Sequence, residues 1–164
     1  MNYGFKQPLG IRNNNPLNIR RGKTLWKGEI PSSPSGNREI VAIGELCDGG
    51  QRVGRGVRGV GSSFCKFSSV EWGLRAAFCL LRTYANKYRL CCVRDIISRW
   101  APPTENDTTS YIRHVCLLTG FGGNQRLTAQ DWPRMVKAMA RMECGVDIDD
   151  ETIAKAFLLY RETP

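Results

Sequence analysis

A glutamate occupies the last turn of an apolar helical stripe near the end of the chain. Residues 131–145 place apolar side chains and Glu143 at the three-to-four spacing of one helix face. Burial disfavours the ionised form of a carboxyl group and so keeps a general acid protonated near neutral pH. Glu143 is therefore a candidate general acid, although the position also suits a helix-end glutamate that reaches solvent or pairs with an arginine. The apolar members of the stripe are Trp132, Val136, Met139 and Ala140.

The ends of this helix are predicted from three neighbouring residues. Asp131 suits the N-cap, Pro133 suits the first turn, and Gly145 suits the left-handed position that follows a helix. The order of these residues predicts one helix that ends directly after Glu143.

Four further amphipathic helices are predicted to position the helix that carries Glu143. The first of them is predicted to begin at a capping-box pattern, Ser68-x-x-Glu71, and the third at Asp107 or Thr108. Residues 1–67 have instead the turn residues that are typical of irregular structure, and residues 17–20 alternate like a short strand. The sequence predicts a mainly α (α+β) single domain over 1–164, with a basic lobe at 1–67 that contains a Gly/Arg loop at 47–63, and a helical lobe at 68–164. The four helices are expected at about 68–88, 92–100, 107–120 and 150–161.

The positive charge is concentrated in the N-terminal half. The formal net charge is +9; residues 1–70 hold 11 Lys and Arg against 4 Asp and Glu, and residues 71–164 hold 13 against 11. Such a surface favours a polyanionic partner, and nucleic acid, teichoic acid, anionic lipid and the acidic groups of peptidoglycan all qualify. The Gly/Arg loop lacks the interleaved aromatic residues that stack on bases, which weakens the case for nucleic acid.

Seven cysteines and one histidine limit the covalent and metal chemistry that the chain can support. The number of cysteines is odd, and no Cys-x-x-Cys occurs. We therefore expect reduced, mostly buried thiols, with no metal site and no cofactor. Long apolar runs are absent from the sequence, so we also expect no membrane span and no signal peptide.

Seven short motifs follow one another between residues 10 and 145: GIRNNNPLNIR at 10–20, WKG at 26–28, FCKF at 64–67, EWGLRA at 71–76, RWAPPTENDT at 99–108, YI at 111–112 and ECG at 143–145. Their order and spacing resemble a family of small phage and prophage virion proteins that are suspected of degrading peptidoglycan. The resemblance implies synthesis in the bacterial cytoplasm and action on the cell wall after delivery by a virion, by lysis or by an injection apparatus. It also implies a phage or secretion-apparatus partner.

Three of these segments are similar to segments of bacterial cell-wall glucosaminidases of the lysozyme superfamily: 14–19, 64–67 and 101–111. In those enzymes the helix with the catalytic glutamate comes first, whereas only thirteen residues precede Asn14 here. Residues 134–145 instead resemble the apolar helix, glutamate and Ser/Gly of lytic transglycosylases and goose-type lysozymes, with Cys144 where a serine is usual. Together the resemblances imply a lysozyme-like domain that is circularly permuted, with the catalytic helix at the C-terminal end.

The resemblance implies a muramidase or a lytic transglycosylase. Glu143 would protonate the glycosidic oxygen between N-acetylmuramic acid and N-acetylglucosamine. Hydrolysis usually needs a second carboxylate, ~5–5.5 Å away for retention or ~6.5–9.5 Å away for inversion; Glu105 is the first candidate and Glu29 the next. A lytic transglycosylase needs only one carboxylate. The residues expected to bind sugar are Asn14, Asn15, Asn106, Tyr111 and Trp26.

These residues also have structural interpretations. Asparagine-rich turns often bond their own backbone, and a carboxylate just before a helix favours the helix dipole. Trp100, at the end of an apolar stripe, is expected in the core.

Two other functional classes fit the sequence. A Cys-His peptidoglycan amidase or endopeptidase would need a thiolate within hydrogen-bond reach of His114, and Cys65 is the best placed cysteine. A non-enzymatic virion structural protein or nucleic-acid-binding protein would use the basic charge without any chemistry.

Overall fold

Amphipathic patterning produces a set of packed helices in the C-terminal part of the chain. The computed structural model describes residues 7–31 and 64–163. The predicted mainly α fold is confirmed, and all five predicted helices are present close to their predicted ends. The predicted Gly/Arg loop at 47–63 lies outside the described residues, which resume at Phe64. The helices in the described residues are α1 (Leu9–Arg12), α2 (Val70–Tyr88), α3 (Val93–Trp100), α4 (Thr108–Thr119), α5 (Trp132–Cys144) and α6 (Asp150–Glu162).

Side-chain caps and one glycine account for several helix ends. Asp107 accepts a hydrogen bond from the backbone N–H of Ser110 at 3.0 Å, which confirms it as the cap of α4. Asp149 caps α6 in the same way, on the N–H of Thr152 at 2.8 Å. Gly145 ends α5 in the predicted left-handed conformation, with φ of +68°.

Two predicted caps are replaced by other contacts. Asp131 occupies the N-cap position of α5, but its carboxylate accepts hydrogen bonds from the N–H and the hydroxyl of Thr128, both at 2.8 Å. Ser68 does not cap α2, because Ser69 occupies the N-cap position and the helix begins one residue later than a cap at Ser68 requires. The backbone N–H of Ser68 donates to the carbonyl oxygen of Gly28 at 2.9 Å, which joins this residue to the N-terminal segment.

Helix α5 packs against α1, α2, α4 and α6. The most extensive helix pair is α2 with α6, and α3 packs on α4. Burial of a large apolar side chain stabilises a fold by about 1.5–3 kcal/mol, so the α5 core positions hold its last turn firmly in place. None of the helices in the described ranges combines the length and the apolar composition that a membrane crossing requires. The α5 side chains in the core include Trp132, Met135, Val136, Met139 and Ala140.

The N-terminal segment is organised by single backbone contacts. Residues 64–67 run beside it, and the N–H of Cys65 donates to the carbonyl oxygen of Ile19 at 2.8 Å. The short strand predicted at 17–20 is therefore one isolated bridge in the described residues. The antiparallel bridges of this region join Arg20 to Phe64 and Glu29 to Phe67.

Two glycines let the N-terminal segment lie directly against α2. A Cβ atom on Gly73 would overlap the carbonyl oxygen of Asn14. A Cβ atom on Gly28, which has φ of +77°, would overlap the ring of Trp72. Any larger residue at either position would separate the N-terminal segment from the helix, so these glycines fix the relative position of the two.

Candidate active site

Glu143 lies on the last turn of α5, where its half-buried side chain meets three other parts of the chain. Its carboxylate accepts hydrogen bonds from Trp100, Tyr111 and Asn18, which are 43, 32 and 125 residues away in sequence. Contacts across such separations form only when the whole domain has folded. This convergence identifies the carboxylate as the centre of a candidate active site.

Two aromatic side chains hold one oxygen of the carboxylate. Oε1 of Glu143 accepts a hydrogen bond from Nε1 of Trp100 at 3.0 Å and from the hydroxyl of Tyr111 at 3.1 Å. Trp100 is the last residue of α3, Tyr111 belongs to α4, and both rings are buried. An indole N–H can only donate, so Oε1 is fixed as an acceptor.

Tyr111 is held as a neutral phenol. Burial raises its pKa well above the ordinary value, and the charge of Glu143 and the hydrogen bond between the two side chains raise that pKa further. Its hydroxyl also lies 3.5 Å from the carbonyl oxygen of Met139. The group can therefore serve as a hydrogen-bond donor to the glutamate, but not as a base or nucleophile near neutral pH.

Asn18 reaches the same glutamate from the N-terminal segment. Its Nδ2 donates to Oε2 of Glu143 at 3.2 Å and to the backbone carbonyl oxygen of that residue at 3.2 Å. Asn18 has φ of +51°, a left-handed conformation that asparagine adopts more readily than most residues. A Cβ atom on Gly10 would lie 3.0 Å from Oδ1 of Asn18 and 3.5 Å from Cβ of Cys144, so α1 packs closely around this contact.

The three donors leave one oxygen of the carboxylate less engaged. Oε1 receives two hydrogen bonds and Oε2 receives one. Within the described ranges, no lysine or arginine forms an ion pair with Glu143. A carboxylate has about four acceptor sites, so Oε2 has room for a proton or for a polar atom of a ligand. Neutral donors orient the group without neutralising it, an arrangement that suits proton transfer.

Glu105, the first candidate for a second carboxylate, lies on the loop between α3 and α4. Its side chain is exposed, and its Oε2 is 3.9 Å from Nη2 of Arg20. The neighbouring Asn106 is also exposed, and its amide donates to the carbonyl oxygen of Pro102 at 3.3 Å. The loop therefore presents both polar side chains at the surface, between the helices that supply Trp100 and Tyr111.

Two of the three asparagines that were expected to bind sugar organise the backbone. Asn15 is fully buried, and its amide donates to the carbonyl oxygens of Ile19 at 2.9 Å and Cys65 at 3.0 Å while its Oδ1 accepts the N–H of Ile19. Asn14 donates to the carbonyl oxygen of Phe67 at 2.9 Å. A fully buried side chain that is bonded in this way cannot meet a sugar, which corrects the prediction for Asn15. Asn14 is half-buried and has a structural contact.

Trp26 and Glu29 share a tight turn. The N–H of Trp26 donates to Oε2 of Glu29 at 3.0 Å, and the N–H of Glu29 donates to the carbonyl oxygen of Trp26 at 3.0 Å. Glu29 is buried, so its carboxylate closes this turn. Trp26 is half-buried and packs against the core.

Tyr111, which was expected to bind sugar, is only 9% exposed. It meets the site through its hydroxyl, which donates to Glu143.

Cys65 and His114 lie in different environments. Cys65 is completely buried, whereas His114 is an exposed residue of α4 whose Nδ1 is 2.7 Å from the carbonyl oxygen of Ser110. The part of the chain that the structure describes thus does not join a thiol to this imidazole for nucleophilic catalysis. Nor does that part hold a group of three or more His, Cys, Asp or Glu residues suited to a metal ion.

Two of the three donors to Glu143 are not expected from the sequence, which assigns Trp100 to the core and Asn18 to a short strand. Trp100 carries one usable signal, because a buried indole N–H needs an acceptor. Asn18 carries no comparable local signal, since its partner is 125 residues away.

An extended match relates the chain to a known protein. No known protein-family model matches the chain. Over 139 residues it is 38% identical to Protein P5 of Pseudoalteromonas phage PM2, and the match covers 83% of this chain and 71% of that protein. Sequence identity at this level over most of both chains shows that the two proteins are homologous. The chain therefore belongs to the family of Protein P5 of Pseudoalteromonas phage PM2.

Proposed function

We propose that the protein cleaves the glycan strands of peptidoglycan, as a muramidase or a lytic transglycosylase, with Glu143 as the general acid. The observation that carries the proposal is the convergence of three hydrogen-bond donors from separate parts of the chain on this one carboxylate. Such donors hold the carboxyl group in one orientation. A fixed orientation is what proton delivery to a departing oxygen requires.

In this mechanism Oε2 of Glu143 carries the proton, because Oε1 is occupied by Trp100 and Tyr111. The proton passes to the glycosidic oxygen as its bond to C1 of N-acetylmuramic acid breaks, and positive charge develops on the sugar ring. Attack on C1 by water gives a reducing end, and the Glu143 carboxylate takes up the proton that the water loses. Attack by the 6-hydroxyl of the same sugar gives a 1,6-anhydro end, and the carboxylate then takes up the hydroxyl proton.

Two further observations support the proposal. The glutamate lies at the C-terminal end of an apolar helix that a glycine terminates, which resembles the catalytic element of lytic transglycosylases. The relative is a protein of a phage, and a virus of bacteria has to pass the host cell wall. On the same basis we propose a lysozyme-like, circularly permuted domain that acts on the wall after delivery by a virion, by lysis or by an injection apparatus.

Digestion of purified sacculi, followed by mass spectrometry of the soluble products, tests this function. The expected products are disaccharide-peptides with intact peptide stems, and their reducing or 1,6-anhydro ends identify the second step. Free peptides with intact glycan strands would replace the proposal with an amidase. Retention on sacculi without any product would replace it with a binding protein.

A further inference from the structure

The two donors to Oε1 of Glu143 lie at the two ends of one short loop. Trp100 is the last residue of α3, and Tyr111 lies in the first turn of α4, which begins at Thr108. Both donors reach the same oxygen, at 3.0 Å and 3.1 Å. Hydrogen bonds weaken steeply outside a narrow range of distance and angle. The two side chains therefore have to keep a fixed position relative to each other.

Thr108 joins the two ends of this loop directly. It is only 7% exposed, and its Oγ1 donates a hydrogen bond to the carbonyl oxygen of Ala101 at 2.5 Å. Ala101 follows Trp100 in the chain and is buried as well. A backbone carbonyl group that is buried away from water needs a partner within the protein. The hydroxyl of Thr108 is that partner, and it fixes the first residue of α4 to the residue that follows α3.

The position of this bond along the chain couples it to both donors. At one end, Ala101 is covalently attached to Trp100. At the other end, Thr108 and Tyr111 are three residues apart in α4, so they lie next to each other on one face of the helix. A change in the distance between Thr108 and Ala101 therefore moves the two donors relative to each other.

The other hydrogen bonds of the loop have a different effect. The carbonyl oxygen of Pro102 accepts the backbone N–H of Glu105 at 3.1 Å and the side-chain amide of Asn106 at 3.3 Å. These bonds fold the loop on itself, whereas the bond of Thr108 joins its two ends.

We propose that Thr108 is a positioning residue, which fixes Trp100 and Tyr111 relative to each other and thereby orients the carboxyl group of Glu143. The inference rests on the proposed function, in which this carboxyl group has to deliver a proton in one direction. Thr108 acts through the two donors and is not itself a catalytic residue. Without its hydroxyl the ends of the loop separate, and the bonds to Oε1 lengthen.

Thr108→Val tests the inference, because valine keeps the branched shape of threonine and lacks the hydroxyl. The indole N–H signal of Trp100 in a proton nuclear magnetic resonance spectrum reports the bond to Glu143 independently of activity, and Trp100→Phe identifies that signal. The signal should move upfield in Thr108→Val, because the hydrogen bond is weaker. The kcat on soluble glycan strands should fall about threefold with KM unchanged, since the carboxyl group is less often in the productive orientation. Thr108→Ser keeps the hydroxyl and should match wild type in both measurements.

Thr119→Val is the matched control. Thr119 is a buried threonine at the other end of α4, and its hydroxyl donates to the carbonyl oxygen of Val115 at 2.7 Å. The substitution removes a comparable hydrogen bond, so it should lower the Tm but leave the Trp100 signal and kcat unchanged. Equal changes in the two valine variants would show that lost stability accounts for the effect, and they would overturn the inference.

An unchanged Trp100 signal in Thr108→Val, or a Thr108→Ser protein that behaves like Thr108→Val, would also overturn the inference. If Thr108→Val does not fold, Thr108→Ala replaces it, since alanine removes the hydroxyl and adds no atom. Digestion of sacculi by the wild-type protein reports separately on the proposed function. Cleavage by wild type with an unchanged signal in Thr108→Val rejects this inference alone. A shifted signal in a protein that does not cleave rejects the enzyme and keeps Thr108 as the residue that positions the donors.

Discussion

The indole Nε1 of Trp100 lies 3.0 Å from Oε1 of Glu143 and donates to it. The bond joins the last residue of α3 to the last turn of α5. The terminal torsion of a glutamate is broad when the side chain is free, so a rigid donor of this kind narrows the orientations that the carboxyl group can adopt. Because the indole ring is fixed in the core, its N–H also fixes the orientation of the Glu143 carboxyl group.

Glu143→Gln should abolish the release of glycan fragments while the protein stays folded. Glutamine keeps the volume of the side chain and an oxygen for Trp100 and Tyr111, but it cannot deliver a proton. The altered contact with Asn18 should cost about 1 kcal/mol, so the Tm should fall by only a few degrees. Digestion of sacculi and thermal unfolding measure the two effects. Glu162→Gln, an exposed residue of α6, should behave like wild type, and an active Glu143→Gln protein would contradict the assignment.

Tyr111→Phe should lower kcat about tenfold, which corresponds to about 1.4 kcal/mol of barrier, and change KM little. The substitution keeps the ring and removes one of the two donors to Oε1 of Glu143, so the carboxyl group is less often in the productive orientation. Tyr160→Phe is the control, because that ring packs on Phe157 and Trp132 and is not a donor to the glutamate. If both variants cleave soluble glycan strands equally well, the hydroxyl of Tyr111 does not assist Glu143.

Gly73→Ala should destabilise the fold by about 1–3 kcal/mol, the usual cost of forcing a methyl group into a filled space. The added Cβ atom would overlap the carbonyl oxygen of Asn14, and a backbone atom cannot move aside as a side chain does. Gly123→Ala is the matched control, since its Cβ atom would meet its nearest neighbours at 3.9 Å. Urea unfolding compares the two variants, and similar midpoints would show that the contact with α2 is not close-packed.

Stability should fall at alkaline pH because two tyrosines are buried. Burial raises the pKa of Tyr84 to about 12 against the lowering effect of Arg99, and it raises the pKa of Tyr111 further. The unfolded chain loses these protons near pH ~10, so the stabilisation is complete below that pH and is lost as the pH rises through the folded-state values. For Tyr84 the loss should reach about 3 kcal/mol. The free energy of unfolding of Tyr84→Phe should therefore depend less steeply on pH above 10, and a slope equal to that of wild type would refute this account.

The helical part of the fold was predictable from local pattern. The repeat of apolar residues, the cap at Asp107 and the stop at Gly145 are local signals, and each appears in the structure. The four residues of α1 are too few to show a period, and the N-terminal contacts are single bridges between distant segments. Asp131 and Ser68 had the right residue types for caps, but a neighbouring turn uses the carboxylate of Asp131, and α2 has Ser69 at its N-cap position.

The candidate site was predictable only in part. Glu143 was predicted because a carboxylate interrupts the apolar pattern of its own helix. Tyr111 was predicted from the resemblance, but as a residue that binds sugar and not as a hydrogen-bond donor to Glu143. The role of Trp100 depends on what its indole N–H meets, and that of Asn18 depends on a contact across 125 residues. No local pattern encodes such distant pairings. The prediction for Asn15 was wrong for another reason: an asparagine that binds sugar and one that is buried in the fold look the same in the sequence.

The bond between Asn18 and Glu143 also determines when, during synthesis, the candidate site can assemble. A ribosome makes Asn18 before Glu143, so the hydrogen bond between them cannot form until the 125 residues that separate them have been made. A nascent chain or a truncated product that stops before α5 holds all three donors but no carboxylate for them to orient. Each chain therefore lacks the hydrogen-bonded Glu143 until α5 has been made.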